Sequence, residues 1–137
     1  MASRGFVLHV EDDVAVCKAL ALLLRAEGYD VVSAHGGRQA LASVVDDHYQ
    51  VDVLIVDFHL DAEMDGTEVA ERVTKALGYS VPTIILTADP ANAEAPWLTG
   101  APVWLARKPM NPALLVAAMP PLVELSRSIR NLSRTSR

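Results

Sequence analysis

Between Val51 and Val56 the chain reads VDVLIV, a β-branched run in which apolar residues follow one another rather than alternate with polar ones. A strand of that kind buries both faces, and central strands of parallel sheets are where this happens. Other short apolar runs accompany it. Phe6 to Val10 (FVLHV), Asp30 to Ala34, Val81 to Thr87 (VPTIILT) and Val103 to Ala106 all read as strands, with Pro82 acceptable only near a strand's start. Helix-patterned stretches separate them. Asp13 to Glu27 places Val16, Leu20 and Leu23 at i, i+4 and i+7, and Gly28 follows as a terminating glycine. Gly37 to Asp46, Thr67 to Leu77 and Ala113 to Ser128 are the remaining helices, the last interrupted by Pro120 and Pro121, which should kink or break it. Five strand-to-helix alternations predict an α/β fold, a doubly wound five-stranded parallel sheet of the flavodoxin-like kind.

The 137 residues suit one domain with a real core. The longest apolar runs, such as ALALLL from Ala19, fall far short of the roughly 20 residues that cross a bilayer. The early apolar run stops at the charged cluster of Glu11, unlike a signal peptide. No membrane association and a cytoplasmic setting are therefore expected. The single cysteine, Cys17, rules out an internal disulfide and fits a reducing compartment. A net charge of -5 argues against nucleic acid as a direct partner. The segment from Arg127 to Arg137 holds four arginines and no acid, and reads as a frayed end or linker stub after a domain spanning residues 5–126.

In doubly wound sheets, ligands bind beyond the carboxyl ends of the strands. Glu11 and Asp12 follow the first strand, Asp57 the third, Thr87 and Ala88 the fourth, and Lys108 and Pro109 the fifth. Taken singly, each has a plain explanation: helix-terminal charge, turn residue, β propensity, solvated loop. Together they put three carboxylates, a hydroxyl and an ammonium on one rim. Crowded carboxylates repel unless a cation lies between them, and an all-oxygen set favours a hard divalent ion, Mg²⁺ before Ca²⁺. His9, in a buried strand, reads as a satisfied core histidine. His35 and His48 fall in a loop and at a helix end, and Cys17 lies on the first helix without a partner.

The motifs VLHVEDD (Val7 to Asp13), VDVLIVDFHL (Val51 to Leu60), MDG (Met64 to Gly66), TIILTA (Thr83 to Ala88) and Lys108–Pro109 resemble, in that order, the receiver domains of response regulators and hybrid sensor kinases. The resemblance implies that Asp57 accepts a phosphoryl group from a phosphohistidine on a sensor histidine kinase or a histidine phosphotransfer protein. It implies that Glu11, Asp12, Asp57 and the backbone carbonyl of His59 hold Mg²⁺. Thr87 would hydrogen-bond the phosphoryl group, Lys108 would pair with its oxygens, and Ala88 would leave it room. The Lys108–Pro109 bond would be cis.

The sequence departs from the family pattern in four places. The loop after Asp57 carries Asp61 where a proline is common, and is one residue longer, as in hybrid-kinase receivers. Asp89 to Pro102 contains Pro90, Pro96 and Pro102, so a fourth helix should start at Pro90 and stop by Pro96. The aromatic usual three residues before the lysine is replaced by Leu105, and Trp104 stands one residue earlier as a packing residue. His59 and Asp89 fall where side chains flank the phosphoryl group in the family, and a contact between them is one reading of that placement. Two rival functions remain: a metal-dependent phosphohydrolase with an aspartate nucleophile, which the absence of a DxD spacing at Asp57 disfavours, and an inactive pseudo-receiver that only binds partners.

Overall fold

The computed structural model describes residues 2–60, 63–92 and 102–135. In chain order the elements are β1 (Phe6–Val10), α1 (Val14–Ala26), β2 (Asp30–Ala34), α2 (Gly37–Val45), β3 (Val53–Asp57), α3 (Gly66–Leu77), β4 (Thr83–Thr87), a 3₁₀ turn at Pro90–Asn92, β5 (Val103–Arg107) and α4 (Pro112–Thr135). The five strands form one parallel sheet in the order β2-β1-β3-β4-β5. This is the expected doubly wound sheet. Strand order reverses between β1 and β3, so a crevice opens where those two strands end.

Alternation along each strand divides the core in two. Leu8, Val10, Leu54, Val56 and Ile85 pack with Ala40 and Val44 of α2 and Val69, Ala70 and Val73 of α3. Val7, Val53, Ile55, Ile84 and Leu86 pack on the other face with Ala21 and Leu24 of α1 and Leu115, Met119, Leu122 and Val123 of α4. All five residues of β3 are buried, as its two-faced apolar run requires. Each large apolar side chain so buried stabilises the fold by about 1.5–3 kcal/mol.

The helices start and stop on local chemistry. Asp13 caps α1, its carboxylate accepting from the amides of Ala15 and Val16. Asp65 caps α3 by accepting from the Glu68 amide at 2.9 Å. Gly28 follows α1 at φ 96°, as a terminating glycine should.

Several sequence expectations need correction. The most buried residues of α1 are Cys17, Ala21 and Leu24, and Leu20 and Leu23 pack partly buried against the same core. That helix is apolar around most of its girth, so spacing alone does not select the most buried ones. Val16, Leu20 and Leu23 also line a groove of about 320 Å³ shared with Met110, Pro112 and Leu115. α4 is one helix through Pro120 and Pro121 and on to Thr135. Both prolines are exposed, so the carbonyls of Val116 and Ala117 that lose their N–H partners can turn to water. The same helix carries the residues from Arg127 as far as Thr135. Trp104 is not packed away. Its register partner is Ile84, but β5 is an edge strand and the indole stays 45% exposed. His9 is fully buried, yet neither ring nitrogen meets a hydrogen-bond partner among the described residues. Pro90 opens a 3₁₀ turn over Pro90–Asn92; Asp61, Pro96 and residues 93–101 as a whole lie outside the described residues.

Candidate functional site

The carboxyl ends of β1, β3, β4 and β5 bring the singled-out residues to one rim. Asp57 is the last residue of β3, and its carboxylate is almost wholly buried. Glu11 follows β1 directly and is 1% exposed. Asp12, beside it, is exposed. Ligand oxygens of Glu11, Asp12 and Asp57 all lie within 4.8 Å of one another.

Lys108 reaches this cluster from the loop after β5. Its Nζ donates to Asp57 Oδ2 at 2.8 Å and to both Glu11 oxygens at 3.2 Å. The Lys108–Pro109 peptide is cis, as expected. The Lys108 backbone is anchored too, its amide donating to the Thr87 carbonyl at 2.8 Å. Thr87 ends β4, buried, with its hydroxyl oxygen accepting from the Asp89 amide at 3.2 Å. Ala88, next in the chain, is exposed. Its carbonyl accepts from the Arg107 guanidinium at 3.3 Å.

Electrostatics follow from this crowding. Burial, together with the neighbouring Asp57 carboxylate, raises Glu11 from the usual carboxyl range to about 7, against the opposing pull of Lys108. Burial by itself would lower the Lys108 ammonium, but its bonds to Asp57 and Glu11 outweigh that and raise it. Three clustered carboxylates also outnumber the single ammonium that reaches them. A second cation would offset the excess, and the all-oxygen donor set suits Mg²⁺.

Glycine at position 66 makes the rim possible. A Cβ there would sit 2.2 Å from the Asp57 carbonyl oxygen, and the Gly66 amide donates to the Phe58 carbonyl at 2.7 Å. Sequence reading caught the MDG motif but not this reason for its glycine. It also missed the support beneath Glu11. The Cys17 thiol donates to the Glu11 carbonyl at 3.2 Å, and His35 Nδ1 lies 3.2 Å from the same oxygen. Neither residue carries a spacing signal, because α1 and the loop after β2 meet only in the fold. His59 and Asp89 are both exposed; the His59 ring packs edge-on against Phe58 at 4.8 Å. Trp104 lies on β5, half-exposed, rather than in the cluster.

Among the described residues no helix is long and apolar enough to cross a membrane. The chain is 40% identical over 82 residues to the transcriptional regulatory protein ZraR of Escherichia coli, an alignment covering 60% of this chain and 18% of ZraR. It is 39% identical over 82 residues to the transcriptional regulatory protein TrcR of Mycobacterium tuberculosis, covering 60% of this chain and 30% of TrcR. The chain thus spans less than a third of these relatives. Among solved structures, the receiver domain of the hybrid histidine kinase CckA superposes with a TM-score of 0.72 at 27% identity, over 87% of this chain and 99% of that one. A CheY-like receiver domain protein from Methanospirillum hungatei shares the fold with a TM-score of 0.78 at 23% identity, over 90% of this chain and 97% of its own. The family model for the response regulator receiver domain matches residues 7–119, nearly the whole of the sheet and its helices. By that match the chain belongs to the response regulator receiver domain family.

Proposed function

We propose that Asp57 is the phosphoacceptor of this receiver and that Glu11, Asp12, Asp57 and the backbone carbonyl of His59 hold Mg²⁺ beside it. The observation that carries the reading is the three-way junction at Lys108, whose ammonium joins Asp57 at 2.8 Å and Glu11 at 3.2 Å within a cluster of three carboxylates. An Asp57 oxygen attacks phosphorus, the P–N bond of a phosphohistidine breaks, and its electrons return to the donor's imidazole. Attack by an anion on an anionic phosphoryl group needs positive charge on both sides. When bound, Mg²⁺ would supply positive charge on one side, where Glu11, Asp12 and Asp57 would hold it. Lys108 supplies the other, already oriented by Glu11 and held by the backbone of Thr87 and by Pro109.

Thr87 reads the outcome. Its hydroxyl now accepts one amide bond; a phosphoryl oxygen on Asp57 gives its hydrogen a charged acceptor, which favours a rearranged β4 end. Ala88 offers no side chain to block that approach. A sensor histidine kinase or histidine phosphotransfer protein is the expected donor, in the cytoplasm. The domain acts as a switch and phosphate carrier, catalysing only its own phosphorylation and dephosphorylation. Direct contact with nucleic acid is a property to test, because ZraR and TrcR are named as transcriptional regulators over lengths this chain does not span.

The test is phosphate uptake from a small phosphodonor with Mg²⁺ present. The wild-type chain should label once per molecule and Asp57→Asn should not label. Equal labelling of the variant would remove Asp57 from the role. Sustained turnover of a phosphate monoester would favour a phosphohydrolase instead.

A further inference from the structure

The family match covers residues 7–119, yet α4 continues to Thr135 and residues 2–5 lead into β1. These two flanks meet each other at the rim opposite Asp57. Val123 and Ser126 of α4 are buried there. Gly5 lets the helix approach: a Cβ on Gly5 would lie 2.8 Å from Val123 Cγ2. Asp52, just before β3, is buried and joins three elements. One of its oxygens accepts from the Phe6 amide at 2.8 Å, and the other forms an ion pair with the Arg130 guanidinium. The same guanidinium lies over the Tyr79 ring, 5.5 Å from its centre, and the Tyr79 hydroxyl donates to the Val51 carbonyl at 2.6 Å. The Arg130 side chain is only 17% exposed. A surface arginine at a fraying helix end would not be desolvated in this way.

We propose that Asp52 and Arg130, seated by Gly5, form a clasp that makes residues 120–135 an integral part of this receiver and fixes the direction of α4 at the rim opposite the phosphoacceptor. The clasp is a conformational device: it ties segments lying outside the family match to the start of the central strand. Partners that meet the far end of α4 then meet a rigid helix rather than a flexible tail. Charge-assisted bonds that are mostly shielded from water are strong enough for this, whereas exposed ones are not.

Hydrogen–deuterium exchange on the whole chain tests it. In the wild type, amides of residues 126–132 should be protected. In Arg130→Ala they should exchange about tenfold faster, the equivalent of one charge-assisted hydrogen bond. Arg130→Lys should fall between. Arg127→Ala is the control, because its guanidinium is exposed and, among the described residues, makes only a 3.5 Å contact with the Arg4 carbonyl; it should behave like wild type. Asp52→Asn should loosen the same segment, and Arg130→Ala tests the clasp alone if that variant folds poorly. Phosphate uptake should persist in Arg130→Ala, since β3 separates the two rims by roughly 17 Å. Free exchange of residues 126–132 in the wild type overturns the proposal. So does unchanged protection in Arg130→Ala, or equal loosening by Arg127→Ala.

Discussion

Replacing His9 with leucine should stabilise this domain at neutral pH and remove part of its acid sensitivity. His9 sits in β1 between Ser33 of β2 and Ile55 of β3, fully buried. Neither ring nitrogen has a hydrogen-bond partner among the described residues. An unmade buried hydrogen bond costs about 1–3 kcal/mol, and leucine fills nearly the same volume without the polar atoms. A gain of about 1–2 kcal/mol at pH 7.5 is therefore expected. Burial, only partly offset by Asp57, also lowers the imidazole from 6.5 to about 4. The sign follows from proton counts. Between those two values the unfolded chain takes up a proton that the folded chain refuses, so stability is whole above about 6.5 and falls as pH drops toward 4. Two and a half pH units at 1.36 kcal/mol each make the full loss roughly 3 kcal/mol, of which about 2 kcal/mol is spent by pH 5. Urea denaturation of both proteins at pH 7.5 and pH 5 isolates the effect. The advantage of His9→Leu should widen by about 2 kcal/mol at the lower pH. A variant less stable at pH 7.5 with the same pH slope as wild type would refute the reasoning and mean that the imidazole has a partner worth keeping.

Other outcomes follow from the site. Glu11 is raised to about 7, and it must lose its proton to bind a metal, so Mg²⁺ affinity should be roughly tenfold weaker at pH 6 than at pH 8 by calorimetry. The same shift makes the metal-free fold lose stability as pH rises from the unfolded value of 4.5 through 7, the opposite sense to His9, and Glu11→Gln should flatten that limb in urea titrations. Lys108→Met removes the cation that competes for Glu11 and Asp57; its Mg²⁺ affinity should rise several-fold, while metal-free stability falls by about 1–2 kcal/mol, discounted because Lys108 is a third exposed. Gly66→Ala forces a Cβ to within 2.2 Å of the Asp57 carbonyl oxygen and should cost about 2 kcal/mol or more in thermal or urea unfolding, together with slower phosphate uptake.

Much of this molecule was legible before any coordinates. The two-faced apolar run at β3 and the alternation around it determine a doubly wound parallel sheet, because only helices on both sides can cover such strands. That architecture in turn sends Glu11, Asp12, Asp57, Thr87 and Lys108 to one rim, since each directly follows a strand. The local rules that failed did so where packing or solvent overruled them. Pro120 and Pro121 do not end α4, because both face water and the helix behind them is held by Met119, Leu122 and Val123.

Composition and order thus determined the fold, the sheet edge and the residue types at the site. Only the tertiary structure decided the raised pKa of Glu11, the lack of a partner for the His9 nitrogens among the described residues, the seat of Lys108 between two carboxylates, and the junction of Arg130 with Asp52. The reason is range. Strand and helix patterns are read from neighbours a few residues apart, whereas desolvation and ion pairing depend on groups such as Glu11 and Lys108, or Asp52 and Arg130, that lie far apart in the chain and meet only when the sheet closes.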